Sequence, residues 1–477
     1  MPEYLSRNIE ALKKRFPLAA MAASQAAGAV DLFAAKTGAV TGRIGGILLS
    51  SAYDPVREGA MFAGAHDIGP GGHVALYGLG LGYHIKPLLE AVGPQGRIVA
   101  AEANGSILKA ALEVIGDPAV ISDERITFVA ATSENEFLAE WARAFEKLDP
   151  ARTRVAIHTP SFQSIPQSFT RVKNAVEMIR MERRFPLIMG KKEKENFRRN
   201  LGRLAGSPGV SALAGMCEGG AVIVVGAGPS LDRDITQAAC CKGRAAVFAA
   251  DTALPSLLAA GITPDLLFTA DPQDESMRHF IAAGRYDLPL VLTPTANADL
   301  VEKWRGPLFF GFQNPDKYPK PADGWARRMG VFSSGGSVSS FALETALAAG
   351  VSVAALAGMD FGYPWGRAYA NGSAPALLGA NEAALRGKVE VKDYCGRPLL
   401  TSLNMYSYIR AFENITVAPG RTVVTFSNVG ARLGGIEAVA ALPAGIYTRR
   451  GFIVPTPGAN GFDGQIKAAL EQWLDNA

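Results

Sequence analysis

The chain has 477 residues, which is long for one hydrophobic core, so we expect two domains of ordinary size. A formal net charge of +4 implies no large basic field, so nucleic acid is not an expected partner. The sequence has no run of about 18 apolar residues and no signal-like apolar core at its start, so we expect a cytoplasmic protein without a membrane span.

The first part of the chain predicts a helical preamble followed by a Rossmann-like domain. Residues 1–70 are expected to be the helical preamble, and residues 71–160 the Rossmann-like domain. Apolar strands alternate with helices in that domain, which is typical of a parallel sheet covered by helices. These strands are predicted at His73–Tyr77, Arg97–Ala101 and Ile126–Ala130. Residues 161–215 have helical periodicity and a high charge density, and predict a helical connector whose basic cluster, residues 180–203, is a solvated helix face.

A second βαβ series predicts a catalytic α/β domain over residues 216–440. Its helix at Ser337–Ala349 has apolar residues on one face. Its strands are predicted at Val222–Val225, Ala246–Ala250, Leu266–Ala270, Leu290–Thr293, Pro307–Phe312 and Val353–Ala357. Residues 441–477 are expected to be an extended strap that ends in a helix at Gly464–Leu474. The predicted fold class is therefore α/β, with two Rossmann-like doubly wound parallel-sheet domains and a helical connector.

A glycine turn follows the first strand of the N-terminal domain. Gly78, Gly80 and Gly82 lack the full dinucleotide spacing, although Glu102 ends the next strand, where a ribose-binding acid would lie. His84 and its neighbours crowd the turn. The sequence favours a structural turn and leaves a cofactor site open.

A second glycine turn, Gly226-Ala227-Gly228-Pro229-Ser230, follows an apolar strand and begins a helix. Glycine lets a backbone approach phosphate closely, and a helix N-terminus offers free N–H groups. Pro229 suits the first helical turn, and Ser230 can cap that turn or donate to a phosphate oxygen. The turn therefore predicts a phosphate-binding loop.

Three acids stand at predicted strand ends in the second domain: Asp251, Asp271 and Asp360. Because the carboxyl ends of parallel strands meet at one sheet edge, we expect these acids to face the crevice of the glycine loop. The alternative is that each acid caps the loop or helix that follows it.

A loop of small residues precedes the helix at Ser337–Ala349. Ser334, Gly335, Gly336 and Ser337 predict a second site for an anion or a sugar hydroxyl. The alternative is a well-capped helix that packs closely on the sheet.

These motifs, in this order, resemble those of the motility accessory factor (Maf) glycosyltransferases over roughly residues 45–435. The resemblance is carried by the glycine loop with Leu231, by Ala250–Leu254, Gly261–Asp265 and Asp271-Pro272, by Ser51–Pro55 and Tyr77–His84, and by Ser334–Val338 with Ala357–Phe361. It implies transfer of a nonulosonic, sialic-acid-like sugar from a CMP-activated donor to Ser or Thr of flagellin. No cofactor is certain, and the implied partners are the nucleotide-sugar and flagellin; whether the chain self-associates stays open.

The resemblance also implies roles for individual residues. Gly226, Gly228, Pro229, Ser230 and the loop Ser334–Ser337 would hold the nucleotide, with Asp251 and Asn297 at its cytidine or ribose. Asp271 is the first candidate for the base or for stabilising the sugar cation, and Asp360 the next. Tyr363, Arg367 and Tyr369 would contact the sugar carboxylate, or else form an aromatic-rich loop packed on the domain edge.

The glycine loop is also similar to that of bacterial CMP-sialic acid sialyltransferases, which use a histidine base late in the domain. This chain has no histidine after His279, so its base stays unassigned. A third similar family is the archaeal 6-hydroxymethyl-dihydropterin pyrophosphokinase, which would imply ATP and Mg²⁺, with Asp251, Asp271 and Asp360 as candidate carboxylates. A non-catalytic protein that binds flagellin is the remaining alternative.

Overall fold

The computed structural model describes residues 2–241, 243–333, 337–377, 389–442, 445 and 460–476, of which 2–3, 151, 181–189 and 476 are described by their backbone alone. The chain divides into two compact units, Met1–Arg180 (unit 1) and Met181–Ala477 (unit 2). The division falls inside one long helix, within the stretch predicted as a connector.

Unit 1 contains a parallel sheet and a small antiparallel one. Its helices are α1 (Pro2–Arg15), α2 (Pro17–Ser24), α3 (Pro55–Gly64), α4 (Ile85–Val92), α5 (Gly105–Val114), α6 (Pro118–Ser122), α7 (Glu134–Phe145), α8 (Thr159–Gln163) and the start of α9 (Thr170–Ala205). Its strands are β1 (Asp31–Ala34), β2 (Val40–Ile44), β3 (Ile47–Leu48), β4 (His73–Tyr77), β5 (Arg97–Ala101), β6 (Ile126–Val129) and β7 (Thr153–Ile157). The parallel sheet has the order β6-β5-β4-β7.

The helical preamble predicted for residues 1–70 is wrong in part, because β1, β2 and β3 form an antiparallel sheet within it. Ile44 pairs with Ile47 across a two-residue turn of Gly45 and Gly46, both of which have positive φ. A glycine pair of this kind suits the twist of a tight hairpin.

Unit 2 is built on a long parallel sheet. Its helices are the rest of α9, α10 (Leu231–Cys240), α11 (Leu254–Ala259), α12 (Glu275–Ala283), α13 (Ala298–Lys303), α14 (Ala322–Met329), α15 (Val338–Ala348), α16 (Ala374–Leu377), α17 (Leu403–Glu413) and α18 (Gly464–Asn476). Its strands are β8 (Ala221–Val225), β9 (Ala246–Ala250), β10 (Leu266–Thr269), β11 (Leu290–Leu292), β12 (Leu308–Phe310), β13 (Phe312–Gln313), β14 (Val331–Phe332), β15 (Val353–Ala357), β16 (Val389–Lys392), β17 (Pro398–Thr401), β18 (Thr422–Thr425) and β19 (Glu437–Ala438). Within the described ranges, eight of these strands form a wholly parallel sheet in the order β12-β11-β10-β9-β8-β15-β18-β19.

The central strand β8 is buried on both faces. Ile223 and Val225 pack into one apolar cluster, while Val222 and Val224 pack into another on the opposite face. Successive side chains of a strand point to opposite faces, so helices must cover both sides of this sheet. The predicted α/β class with doubly wound parallel sheets is confirmed.

The predicted strands lie close to the observed ones, and the predicted C-terminal helix is present as α18. Most of the extended strap predicted before it lies outside the described residues. Across the described parts of the chain, no helix combines the length and apolar character needed to cross a membrane.

Candidate active site

The site of unit 2 lies where the strand order reverses. From β8 the chain proceeds outward through β9 on one side, whereas the other neighbour of β8 is the later strand β15. In open α/β sheets, ligands bind at such a switch point, beyond the carboxyl ends of the strands. A cavity of about 730 Å³ opens here, between the loops that follow β8, β9, β10 and β15.

The glycine loop is hydrogen-bonded within the protein. Gly228 N–H donates to the carbonyl of Gly358 (2.8 Å), and Ser230 N–H donates to Oδ2 of Asp360 (2.6 Å). Leu231 N–H donates to the carbonyl of Gly228, and the Ser230 hydroxyl donates to Asp234. In this conformation internal oxygens accept these hydrogens, and the phosphate contacts of these N–H groups and of this hydroxyl stay a prediction.

The glycines of the loop instead allow two loops to approach closely. A Cβ atom on Gly228 would lie 2.5 Å from Oδ2 of Asp360 and 2.7 Å from the carbonyl oxygen of Gly358. A Cβ atom on Gly226 would lie 2.8 Å from the same carbonyl oxygen. Gly226 and Gly228 still line the cavity, whereas Pro229 and Ser230 do not.

Asp360 lies in the cavity wall and is almost fully buried. Its Oδ2 accepts the hydrogen bond from Ser230, and Ser427 Oγ donates to its Oδ1 (3.3 Å). Burial raises the pKa of this carboxyl to about 6. These hydrogen bonds favour a positioning role for Asp360, and its catalytic role stays a prediction.

Asp251 follows β9 and is held by two neighbours. Thr252 N–H donates to its Oδ1 (2.7 Å), and the hydroxyl of Thr269 donates to its Oδ2 (2.8 Å). Asp251 lines the cavity although it is only 4% exposed. Its carboxylate therefore has a fixed direction.

Asp271 follows the neighbouring strand β10 and is half-buried in the cavity wall. Gln273 N–H donates to its Oδ1 (2.9 Å). Burial raises the pKa of this carboxyl, and the negative charge of Asp251 raises it further. Asp251, Asp271 and Asp360 all line this one cavity, as expected.

His279 also lines the cavity, although no site role was predicted for it. It lies on α12, and its Nδ1 is 3.6 Å from Oδ2 of Asp251. Burial opposes protonation of the ring, but the carboxylates of Asp251 and Asp271 outweigh it and raise the pKa of His279 above its ordinary value. The available signal was helical spacing: Ser276, His279 and Phe280 lie at i, i+3 and i+4, which predicts an inward face of α12.

Two tyrosines complete the cavity wall on this side. Tyr369 and Tyr408 both line it, and burial raises the pKa of both phenols. Their hydroxyls are thus neutral hydrogen-bonding groups at physiological pH. The negative charge of Asp271 also raises the pKa of Tyr408, so the Tyr408 phenol and the Asp271 carboxylate interact electrostatically.

Other predicted contact residues have structural roles. Asn297 does not line the cavity: its Oδ1 accepts from Leu300 N–H and caps α13, and its Nδ2 donates to Asp274. Tyr363 is buried outside the lining, and Arg367 forms an ion pair with Asp232 (2.8 Å). These contacts favour packing and pairing roles for the three residues, and their ligand contacts stay a prediction.

The small-residue loop before α15 is described only at its end. Ser337 lines the cavity and precedes the first residue of α15. Ser334, Gly335 and Gly336 lie outside the described residues.

The cavity is acidic. The titratable residues of its wall are Glu193, Asp251, Asp271, His279, Asp360, Tyr369 and Tyr408. Among the described residues that line it, none is Lys or Arg. No group of three or more His, Cys, Asp or Glu side chains in the described chain is arranged to hold a metal ion.

The glycine turn of unit 1 is filled by its own side chains. Leu79 N–H and Asn104 N–H each donate to the fully buried carboxylate of Glu102 (3.0 Å). A Cβ atom on Gly80 would lie 2.6 Å from the ring of His158. These contacts favour the structural interpretation of this turn.

Unit 2 thus has a Rossmann-like sheet with an acidic, histidine-bearing cavity at its switch point. The family model described as 6-hydroxymethylpterin diphosphokinase MptE-like matches residues 195–366, which contain the glycine loop and all three strand-end acids. The relation to MptE-like proteins predicted from the sequence is confirmed for these residues.

Among solved structures, the chain is similar to a Maf glycosyltransferase from Magnetospirillum magneticum AMB-1. The two sequences are 17% identical, the TM-score is 0.42, and the match covers 99% of this chain and 78% of the other. No curated protein matches the chain.

Proposed function

We propose that this chain is a glycosyltransferase that moves a nonulosonic sugar from a CMP-activated donor to Ser or Thr of flagellin, in support of flagellar assembly and motility. One observation carries the proposal: His279 lies in the switch-point cavity with its Nδ1 3.6 Å from Asp251, and Asp271 lines the same cavity. This group supplies the base that the sequence alone left unassigned.

The chemistry of the transfer fits these residues. A hydroxyl acceptor must lose its proton as the new bond forms, and His279, beside the negative charge of Asp251, can take it. Asp271 can stabilise the positive charge that develops on the sugar as the bond to the departing phosphate breaks. The CMP leaving group is a phosphate, so it needs little protonation.

The hydrogen-bond donors of the cavity wall are neutral, which favours a sugar donor that carries few negative charges. A CMP-activated nonulosonic sugar carries one negative charge on its phosphodiester and one on its sugar carboxylate, fewer than ATP, and hydroxyls such as that of Tyr408 can meet them by hydrogen bonding. A cavity of about 730 Å³ is within the usual range for ligand sites.

A second candidate is pyrophosphoryl transfer from ATP, which the MptE-like match over residues 195–366 supports. A triphosphate would bring several negative charges into an acidic cavity. It would therefore require a divalent cation to neutralise them.

A thermal-shift screen with CMP, CDP, UDP and ATP, each with and without Mg²⁺, separates these functions. Stabilisation by CMP without Mg²⁺ is the result expected of the glycosyltransferase. Stabilisation by ATP with Mg²⁺ alone would favour the pyrophosphokinase. No stabilisation by any nucleotide would favour a non-catalytic protein that binds flagellin.

A further inference from the structure

One face of α9 lies against the loops of the candidate active site. Glu193, Asn196 and Asn200 occupy positions i, i+3 and i+7, and so share this face. Glu193 lines the cavity, and the two asparagines are each only 1% exposed. Buried amides inside a helix need partners, and the partners here lie outside the helix.

Each asparagine bridges two carbonyl groups with its Nδ2. Asn196 donates to the carbonyls of Pro272 (2.9 Å) and Thr295 (3.2 Å). Asn200 donates to the carbonyls of Pro294 (3.0 Å) and Ala296 (2.9 Å). The four acceptors belong to the loops that follow β10 and β11.

Asn196 is linked most directly to the site, since Pro272 is the residue next to Asp271. The Nδ2 group of Asn196 donates one hydrogen bond to a carbonyl of each of the two loops. Neither loop can therefore shift without breaking a buried hydrogen bond. Asn200 holds the second loop one helical turn further on. Two ion pairs with exposed carboxylates also tie α9 to this region: Lys192 pairs with Asp274 (3.2 Å) in the loop after β10, and Arg199 pairs with Asp299 (2.5 Å) in α13. Such exposed pairs contribute little by comparison.

We propose that Asn196 and Asn200 are positioning residues: they fix the loops after β10 and β11 and thereby hold the carboxylate of Asp271 in its place in the cavity that His279 also lines. The importance of that place rests on the proposed function. The arrangement itself does not, so the two claims can fail separately.

The test reads the ring of His279 by NMR in the full chain at one fixed pH, with His279→Gln to assign its signal. Asn196→Leu removes the amide at nearly constant volume. We expect it to shift the His279 ring signal in the wild-type background. In an Asp271→Asn background, where the carboxylate is already gone, Asn196→Leu should cause no further shift.

Asn460→Leu is the matched control. Asn460 also donates to two carbonyls, those of Leu204 (2.8 Å) and Ser207 (2.7 Å), at the far end of α9 and outside the cavity lining. We expect its loss to lower the melting temperature without moving the His279 signal. If Asn196→Leu does not fold, Asn196→Ser and Asn200→Ser provide milder versions of the same test.

Two results would overturn the proposal. One is an unchanged His279 signal in a folded Asn196 variant. The other is a shift of equal size in the presence and absence of the Asp271 carboxylate. Neither result depends on whether the chain transfers a sugar.

Discussion

Nδ1 of His279 lies 3.6 Å from Oδ2 of Asp251, although the two residues come from different elements, α12 and the end of β9. The separation exceeds a hydrogen bond but leaves a strong charge interaction in a half-buried wall. Because Thr252 and Thr269 fix the carboxylate, the ring has a defined partner. A histidine with an orienting carboxylate is a common arrangement for a general base.

Replacing the base should remove most of the activity. We expect His279→Gln to lower kcat roughly 10²- to 10⁴-fold, since general-base catalysis contributes about that much. CMP affinity should stay unchanged, because the ring acts on the acceptor. His66→Gln, in unit 1, is the control. Full activity of the His279 variant in a transfer assay would contradict the assignment of His279 as the base.

The pH dependence should follow the pKa of His279. Only the neutral ring accepts a proton, and its pKa is raised by Asp251 and Asp271, so kcat/KM should rise with pH through a midpoint above 6.5. Asp251→Asn removes a negative charge that favours the protonated ring. The midpoint should therefore move to lower pH in that variant, and a midpoint that stays or rises would contradict the assignment.

Gly228 lies so close to Gly358 and Asp360 that a side chain at this position should not fit. We expect Gly228→Ala to destabilise unit 2 by about 1–3 kcal/mol, because its Cβ would meet Asp360 and Gly358 at less than 3 Å. Gly324→Ala, in helix α14 with only the tip of Arg328 nearby, should instead be neutral or stabilising by up to about 1 kcal/mol. Urea unfolding of both variants measures the difference. Equal stabilities would show that the loops do not pack as described.

The glycine turn of unit 1 is filled by its own side chains and should bind no cofactor that contains adenosine. We expect neither NAD⁺ nor S-adenosylmethionine to raise the melting temperature, because Glu102 and His158 already occupy the turn. Calorimetric titration checks this expectation. Saturable binding of either cofactor that is lost in Gly80→Val would reassign the turn as a functional site.

Unit 1 should also be sensitive to acid. Burial lowers the pKa of His84 to about 3 and that of His158 to about 4, so the unfolded chain binds more protons below about pH 6.5. Stability should therefore fall between pH 6.5 and 4. Burial raises the pKa of Glu102 to about 7, which opposes this trend, but the two histidine shifts together are larger.

Urea midpoints of the full chain at pH 7 and pH 5 measure this sensitivity, and His158→Asn should reduce the difference between them. Each pKa unit corresponds to roughly 1.4 kcal/mol. A chain equally stable at both pH values would contradict the lowered pKa values of His84 and His158.

The sheet of each unit was predictable because its strands are short apolar runs that end in glycine or an acid. His73–Tyr77, Arg97–Ala101, Ala246–Ala250 and Val353–Ala357 agree with the observed strands residue for residue. The hairpin of β2 and β3 was missed because its strands are short and half-exposed, and β18 because it follows a segment without a clear period.

Only the part of the site that lies at strand ends was predictable from the sequence. Asp251, Asp271 and Asp360 converge because parallel strands bring their carboxyl ends together. The sequence could not show that Asp360 accepts the N–H of Ser230, since that contact depends on the tertiary packing of two loops. Helical spacing could place His279 on an inward face of α12, but the sequence could not show that this face packs beside Asp251.

The mass of flagellin in the source organism tests the central claim most directly. Deletion of the gene for this chain should remove the sugar mass from flagellin, the wild-type chain should restore it, and His279→Gln should not. The proposed sugar transfer is contradicted if flagellin keeps its mass after the deletion, or if the His279→Gln chain restores the modification as fully as the wild type.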